Sequence, residues 1–385
     1  MNHYPLLYIK NIFILFCLIL IFEPKMFHKN FDFLDEYKKI EKYLKVCNNN
    51  KLINRKKFKR AQYPKISIVS PIYNREKYIL RFLRSIQNQR FENIEIILID
   101  DCSSDNSVKN IQKYQKEDER IRLLKNKKNK GTFISRNIGV INSRGKYVIL
   151  PDPDDILSNN ILNLCFNLAK SYNYEMIRFN IYIGNKRIFF NSLVETLESR
   201  PVYQPELSTY LFYGKGKLQQ IDFNLSNKFI KKEAYITSLN SLTDDLLNTY
   251  ITNFEDGLMN FILYRNVKSF YFLKKIGYYY IRNKKSITGK KFDFKNLKFI
   301  FINLKIHFEY SKNNQYEKKM AEALLERLFI GRRLKNFFKF LNKDYQFYKD
   351  IIDIYINCKF IKNKNKIYLK NIKYIIEKNE KNVIK

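Results

Sequence analysis

Three carboxylates stand within four residues at the end of an apolar run, and their chemistry is that of a cation site. Residues 147–150 are apolar and rich in β-branched and aromatic side chains, which indicates a buried strand. Two prolines alternate with the acids and end that strand, because proline fixes φ and lacks a backbone donor. Asp152 and Asp154 project to the same side of an extended segment, where they repel unless a cation lies between them. Such oxygen ligands suit Mg²⁺ or Mn²⁺. The alternative is a polar turn in which Asp155 caps a following helix.

The elements that must position these acids alternate between strand and helix. Strand patterns cover residues 66–70, 94–99 and 121–124, and helical patterns cover residues 75–89 and 131–142. Residues 102–105 offer capping side chains for a further helix that follows them to about residue 116. This alternation predicts an α/β domain with a mainly parallel sheet. Ligands of such sheets bind outside the carboxyl ends of the strands, near a switch in strand order. Asp100 and Asp101 close the second strand, so we expect them at the same crevice as Asp152 and Asp154.

Two common phosphate-binding signatures are missing from the sequence. No Gly-x-Gly-x-x-Gly follows the first strand, and no Gly-Lys-Ser/Thr loop occurs. A dinucleotide site and a P-loop are therefore disfavoured.

Charge and composition limit the classes of binding partner that we expect. The chain has 385 residues and a net charge of +35, which favours anionic partners such as nucleotides or anionic lipid. The basic residues are dispersed rather than interleaved with aromatics in one motif, so no nucleic-acid partner is expected. Five cysteines and three histidines without paired spacing indicate neither a zinc site nor a disulfide framework.

The first 29 residues are predicted to be a membrane anchor. Residues 4–22 are mostly apolar, and a span needs about 20 residues. No small-residue cleavage site follows, which favours an uncleaved signal-anchor over a signal peptide; a buried core helix is the alternative. Basic residues on both flanks leave the orientation open. The expected localisation is a single-pass membrane protein, with the endoplasmic reticulum or Golgi as candidate compartments, and residues 30–63 are predicted to be a stem.

Several short motifs recur in a fixed order along the chain. They are residues 65–74 (KISIVSPIYN), 99–105 (IDDCSSD), Gly131 with 135–139 (SRNIG), 147–155, and more loosely 227–230, 254–256 and 278–282 with Ser286. Together they resemble the family 2 glycosyltransferases, which have the Rossmann-like GT-A fold. The resemblance implies a glycosyltransferase domain over residues 64–289, with a nucleotide-sugar half (64–160) and an acceptor half (161–289). Residues 290–385 would be a basic helical region that either covers this domain or lies along a membrane.

The resemblance also implies roles for individual residues on the donor side. Asp101 is the first choice for binding the base and ribose of the donor, and Asp100 is the second. Asp154, supported by Asp152, would hold a divalent cation, Mn²⁺ or Mg²⁺, on the diphosphate. Further donor-binding candidates are Pro71, Tyr73, Asn74 and Arg136. The competing interpretations are that Asp100 caps a helix and that Arg136 is a surface residue. Cys102 stands where the family commonly has glycine, which raises a question about the turn because cysteine tolerates positive φ poorly.

On the acceptor side, Asp256 is the predicted general base, with Glu255 as the fallback. The implied reaction is metal-dependent transfer, with inversion, of a hexosyl or N-acetylhexosaminyl group from a nucleotide-diphospho-sugar to an acceptor hydroxyl. A UDP-sugar is the favoured donor, and a glycan, a lipid or a protein remains open as the acceptor. The alternatives are a nucleotidyltransferase and a catalytically inactive binding or scaffold protein of the same fold.

Overall fold

A computed structural model describes most of the chain between residues 30 and 281. The described residues are 30–48, 57–184, 199–204, 206–207, 224–252 and 255–281, with isolated positions between 349 and 377. The chain divides into two compact units, residues 1–54 and 55–385. Helix α1 (Asn30–Asn48) belongs to the first unit, and the described strands all belong to the second.

Strands and helices alternate through the first half of the second unit. The strands are β1 (Ile66–Ile72), β2 (Ile94–Asp100), β3 (Ile121–Lys125), β4 (Tyr147–Ile149), β5 (Ile156–Leu157), β6 (Met176–Gly184), β7 (Pro201–Tyr203), β8 (Lys228–Lys231) and β9 (Ser269–Ile281). The helices are α2 (Ile79–Gln87), α3 (Ser107–Gln115), α4 (Gly131–Ile141), α5 (Ile161–Tyr172), α6 (Lys232–Asn240), α7 (Asp244–Leu247) and α8 (Glu255–Asn266).

The described strands form one nine-stranded sheet in the order β3-β2-β1-β4-β8-β6-β9-β5, with β7 on β9. Strands β3, β2, β1 and β4 are parallel, which confirms the α/β prediction for this half. Beyond β4 the sheet is mixed, because β8 runs antiparallel to both β4 and β6 whereas β6 and β9 are parallel. The predicted mainly parallel sheet therefore holds for the first four strands only. Strand order reverses at β1, so the crevice between β1 and β4 is the expected ligand position.

Two apolar cores lie on opposite faces of the sheet. Successive side chains of a strand point to opposite faces, and β2 follows this rule. Ile97 and Ile99 enter the core that also contains much of α8, whereas Ile96 and Leu98 enter the core that contains α2. Burial on both faces explains why the strands have continuous apolar runs in the sequence.

The predicted elements of the parallel half agree closely with the observed ones, apart from the start of α2. The helix was expected from residue 75 but begins at Ile79. The backbone N–H groups of Arg75 and Glu76 donate instead to Ser107 Oγ (2.7 Å) and Asp105 Oδ2 (3.0 Å) in a neighbouring loop. These tertiary hydrogen bonds remove the first helical turn.

Packing against the domain begins earlier than the predicted boundary at residue 64. Phe58 forms a bridge with Asp118, and its ring lies 3.8 Å from the guanidinium carbon of Arg120. The last part of the predicted stem is thus packed against the domain.

Several terminal predictions lie outside the described residues. These are the anchor within residues 1–29, Arg282, Ser286 and most of the basic helical region expected over residues 290–385. Among the helices that the structure does describe, none is long and apolar enough to cross a membrane. The anchor and the C-terminal region stay predictions.

Candidate active site

The loops that follow β1, β2 and β4 meet at one edge of the sheet. Ile72 at the end of β1 pairs with Asp100 at the end of β2, and β4 lies on the other side of β1 in the same direction. The acids that sequence placed after the second and fourth strands are therefore at the same edge. This is the edge at which the strand order reverses.

The turn after β1 is fastened to the loop after β2. Asn74 has φ 53°, a left-handed conformation that asparagine tolerates better than most residues. Its backbone N–H donates to Ser103 Oγ (3.1 Å), and its Oδ1 accepts from the backbone N–H of Ser104 (2.8 Å). Of its predicted donor-binding neighbours, Pro71 is buried within β1, whereas Tyr73 is 47 % exposed at the mouth of the site.

The Asp101 carboxylate accepts hydrogen bonds from other parts of the protein. Its Oδ1 accepts from Asn126 Nδ2 and from the backbone N–H of Lys130, both at 2.8 Å, and its Oδ2 accepts from the N–H of Gly131 at 2.9 Å. Asp101 therefore fixes the start of α4. Asp100 accepts from the N–H of Ser103 at 3.2 Å, which is local capping of the loop.

Cys102 adopts φ 65°, the left-handed conformation that a glycine would take there without strain. Its thiol donates to the Asn126 carbonyl oxygen at 3.2 Å. The backbone thus keeps the left-handed turn expected at this motif position, although cysteine adopts it under strain.

The acidic loop, defined as residues 152–155, is held by strand β9. The Tyr278 hydroxyl donates to Asp155 Oδ2 (2.7 Å) and accepts from the backbone N–H of Asp152 (3.0 Å). The N–H of Ile281 donates to Asp155 Oδ1 (2.8 Å). Asp155 precedes β5 rather than a helix, so it caps no helix. Burial, together with Asp154 and Asp152, raises the pKa of Asp155 well above its usual range.

Arg136 connects the acidic loop to the acids of helix α8. Its Nη1 donates to Asp256 Oδ1 at 2.7 Å and lies 3.6 Å from Glu255 Oε1. Its Nη2 donates to Asp152 Oδ1 at 3.1 Å. The Arg136 side chain is 2 % exposed, so it is not the surface residue that one interpretation of the sequence allowed. The structure brings together four of the predicted site residues, from segments up to 120 positions apart.

The two acids at the start of α8, Glu255 and Asp256, lie in different environments. Burial and the neighbouring Asp256 raise the pKa of Glu255 to about 8, against the opposing effect of Arg136. The favourable dipole at the helix start does not offset this burial. The Asp256 side chain is 22 % exposed, against 11 % for Glu255, so Asp256 is the more accessible of the two. Although burial disfavours the charge of Arg136, Asp256, Asp152 and Glu255 raise its pKa.

The acidic loop fits a cation that is shared with a substrate. Within the described residues, no group of three or more His, Cys, Asp or Glu side chains forms a ready metal site. Asp152 and Asp154 offer two carboxylates, and Mg²⁺ is commonly held by one or two carboxylates together with substrate phosphates. Burial, followed by the charges of Asp256 and Asp154, raises the pKa of Asp152 despite Arg136. A bound cation would relieve this crowding of negative charge.

Two residues at the site were missed from the sequence. Arg75 Nη1 donates to the carbonyl oxygen of Tyr73 (2.9 Å), and its Nε lies 3.9 Å from Asp154 Oδ2. Tyr250 is 49 % exposed, and its ring lies 3.2 Å from the position of a Cβ on Gly131. Arg75 directly follows the first motif and could have been included. Tyr250 has no such signal, since its position depends on a loop far along the chain.

An acidic cleft at the switch point of this sheet is consistent with the GT-A class of α/β domains. Residues 67–237 match the sequence profile described as glycosyl transferase family 2. These residues therefore form a glycosyl transferase family 2 domain, which confirms the resemblance noted from the motifs.

Curated relatives agree with this assignment. Glycosyltransferase GlyG of Streptococcus pneumoniae is 33 % identical over 117 residues, which is 30 % of this chain and 39 % of GlyG. A Campylobacter jejuni protein named GalNAc(5)-diNAcBac-PP-undecaprenol beta-1,3-glucosyltransferase is 28 % identical over 71 % of this chain and 85 % of its own length. This chain therefore spans only about two fifths of the length of GlyG, and it spans a similar share of a Haemophilus influenzae glycosyltransferase.

The fold is shared with S. aureus TarS. Its crystal structure in complex with UDP-GlcNAc, which covers residues 1–349, superposes with a TM-score of 0.59 at 18 % identity. The match covers 75 % of this chain and 81 % of that one. At this identity the likeness establishes the fold alone.

Proposed function

We propose that this protein transfers a sugar from a nucleotide-diphospho-sugar, with a UDP-sugar favoured, to an acceptor hydroxyl with inversion at the anomeric carbon. The observation that carries the proposal is the meeting of Asp256 with the acidic loop through Arg136, at the switch point of a family 2 domain. In this proposal Asp256 serves the acceptor, and Asp152 and Asp154 serve the donor in the same cleft.

The chemistry divides between these acids. Asp256 accepts the proton of the acceptor hydroxyl as that oxygen forms a bond to the anomeric carbon. The bond between that carbon and the nucleoside diphosphate breaks, and the electron pair leaves with the diphosphate. A base on the face opposite the leaving group gives one displacement, and hence inversion. A divalent cation held by Asp152 and Asp154, when bound, would supply positive charge to the leaving group.

Two of the comparisons support the donor and acceptor classes. TarS was crystallised with UDP-GlcNAc and with UDP, which supports a UDP-sugar donor here. The Campylobacter relative is named for glucosyl transfer to a lipid-linked glycan, which supports a saccharide hydroxyl as the acceptor.

The test is an assay of the purified full chain against a panel of nucleotide sugars with Mn²⁺ and simple glycosides, with released nucleoside diphosphate as the readout. Asp256→Asn should slow transfer by about 10² to 10⁴-fold without weakening donor binding. Asp245→Asn, an exposed acid of α7, is the matched control and should keep the wild-type rate.

Three results would contradict the proposal. Release of pyrophosphate would indicate a nucleotidyltransferase instead. Nucleotide-sugar binding without turnover on any acceptor would favour a binding or scaffold protein. A product with retained anomeric configuration would exclude the single displacement.

A further inference from the structure

The Arg136 guanidinium lies behind the acids and not in the cleft. Its side chain is 2 % exposed, whereas the side chains of Asp152 and Asp256 are 35 % and 22 % exposed. Both terminal nitrogens are engaged, Nη1 by Asp256 and Nη2 by Asp152. A guanidinium in this position is screened from a diphosphate by the carboxylates that it binds. Direct donor binding, which the resemblance implies for Arg136, is therefore not the role that this geometry supports.

Helix α4, which carries Arg136, has a fixed position on the sheet. A Cβ on Gly139 would lie 2.3 Å from Val69 Cγ1 and 2.5 Å from Ile99 Cδ1, so the glycine lets the helix pack directly on β1 and β2. Beside Arg136, the Asn137 Oδ1 accepts from the Tyr235 hydroxyl at 2.9 Å. The guanidinium thus projects from a rigid part of the parallel half.

By contrast, Asp256 belongs to helix α8 in the other half of the domain. Its Oδ1 accepts from Arg136 and its Oδ2 from the backbone N–H of Leu225 at 3.3 Å. The guanidinium is planar, so its two terminal nitrogens have fixed directions, and each one orients the carboxylate that it binds. Arg136 therefore links the orientation of Asp256 to Asp152, and the Leu225 N–H holds the second oxygen of Asp256.

We propose that Arg136 is a positioning residue that aligns the acceptor base Asp256 with the donor site by binding Asp256 and Asp152 with its two terminal nitrogens. The inference rests on the proposed function, because it needs Asp256 to be the base. A positioning role differs from donor binding because Arg136 then acts only through Asp256. Removing the fork should then cost nothing further once Asp256 can no longer accept a proton.

The experiment is a double-mutant cycle between Arg136→Lys and Asp256→Asn in the full chain. Lysine keeps the charge but cannot bind both carboxylates with a planar fork. Misplacement of a reacting group by about 1 Å can cost 10²-fold, so we expect Arg136→Lys to lower kcat by about 10- to 100-fold. In the Asp256→Asn background the same change should lower kcat by less than about 2-fold, since coupled residues are not additive. The KM for the nucleotide sugar, and the Kd for UDP measured by calorimetry, should change by less than about 3-fold because Arg136 does not touch the donor.

The matched control is Arg120→Lys. Arg120 is as buried as Arg136 and pairs with Asp118 (Nη2–Oδ2 2.8 Å) just before β3, at the opposite edge of the sheet. The Arg120→Lys substitution should leave kcat unchanged. This comparison separates the effect of losing a buried ion pair from the effect of misplacing the base. If Arg136→Lys does not fold, Arg136→Gln, which removes the guanidinium but keeps a polar side chain, serves in the same cycle.

The outcomes distinguish the two proposals. Equal losses of kcat in the wild-type and Asp256→Asn backgrounds, or a loss confined to donor affinity, would overturn the positioning role and leave the glycosyltransferase proposal intact. If wild-type protein releases no nucleoside diphosphate with any donor, the proposed function fails and this inference fails with it.

Discussion

At the scale of single residues, Tyr250 presents an exposed ring beside the loop that Asp101 holds. It lies against Gly131, whose N–H is bound by Asp101, and it is about half exposed. Burial, Asp101 and Tyr73 raise the pKa of the Tyr250 phenol, so these groups lie near one another. Tyr73 and Tyr250 therefore offer two exposed rings beside the predicted nucleotide site.

Tyr250→Ala should weaken UDP binding. Stacking of a base on an aromatic ring is worth about 1–3 kcal/mol, so we expect the Kd for UDP to rise by roughly 5- to 150-fold in calorimetry. Tyr250→Phe should keep most of the affinity. Tyr63→Ala removes a ring that is 73 % exposed on the segment before β1, and its Kd should equal that of wild type. If Tyr250→Ala binds UDP as wild type does, the ring is not part of the nucleotide site.

The sequence predicted which acids reach the cleft but not how each one is used. Asp101 follows β2 as expected, yet its three donors come from residues 126–131, and no local pattern announces them. The same holds for Glu255, whose raised pKa depends on burial that only the packing of α8 reveals. At Cys102 the family pattern did predict a strained turn, because the motif fixes the backbone and only the side chain departs from it.

At the scale of elements, strand β9 controls the acidic loop. Tyr278→Phe would remove the hydroxyl that bridges Asp155 and the backbone of Asp152. Loss of one hydrogen-bond donor to a buried carboxyl group lowers stability by about 1–3 kcal/mol. The free energy of unfolding, measured in urea, should fall by that amount. kcat should fall too, since Asp152 and Asp154 are carried by the same loop.

The control for this prediction lies on the same strand. Tyr271 packs its ring on Tyr174 with the centroids 5.2 Å apart, and Tyr271→Phe keeps that contact while removing a hydroxyl. It should leave stability within about 0.5 kcal/mol of wild type. Equal effects of the two substitutions would mean that the bridge to the acidic loop contributes nothing.

Elements of the parallel half could be predicted because their signals are local. Apolar strands, helical spacing and capping residues alternate regularly from β1 to β4, and each observed strand lies within about two residues of the prediction. The mixed half gave no such signal. Strand β8 pairs with both β4 and β6, and this long-range pairing leaves no periodic pattern in the sequence.

At the scale of the whole molecule, one buried acid should make stability depend on pH. Glu255 has a pKa near 8 in the folded protein, against an ordinary value of 4.5. Between these values the folded state keeps a proton that the unfolded state has lost. The free energy of unfolding therefore falls as pH rises through this window. The contribution of Glu255 is fully present below about pH 4.5 and lost above about pH 8.

We expect urea unfolding of the wild type, in the presence of EDTA to remove divalent cations, to show this loss between pH 5 and pH 8. The slope due to Glu255 can reach at most about 1.4 kcal/mol per pH unit. Glu255→Gln has no proton to release, so its stability should fall less steeply and should exceed that of the wild type at pH 8.5. Glu119→Gln, at an exposed position beside the Phe58 bridge, should follow the wild type at every pH. If Glu255→Gln runs parallel to the wild type across the window, Glu255 is already ionised in the folded protein, and it would then return as a candidate for the base beside Asp256.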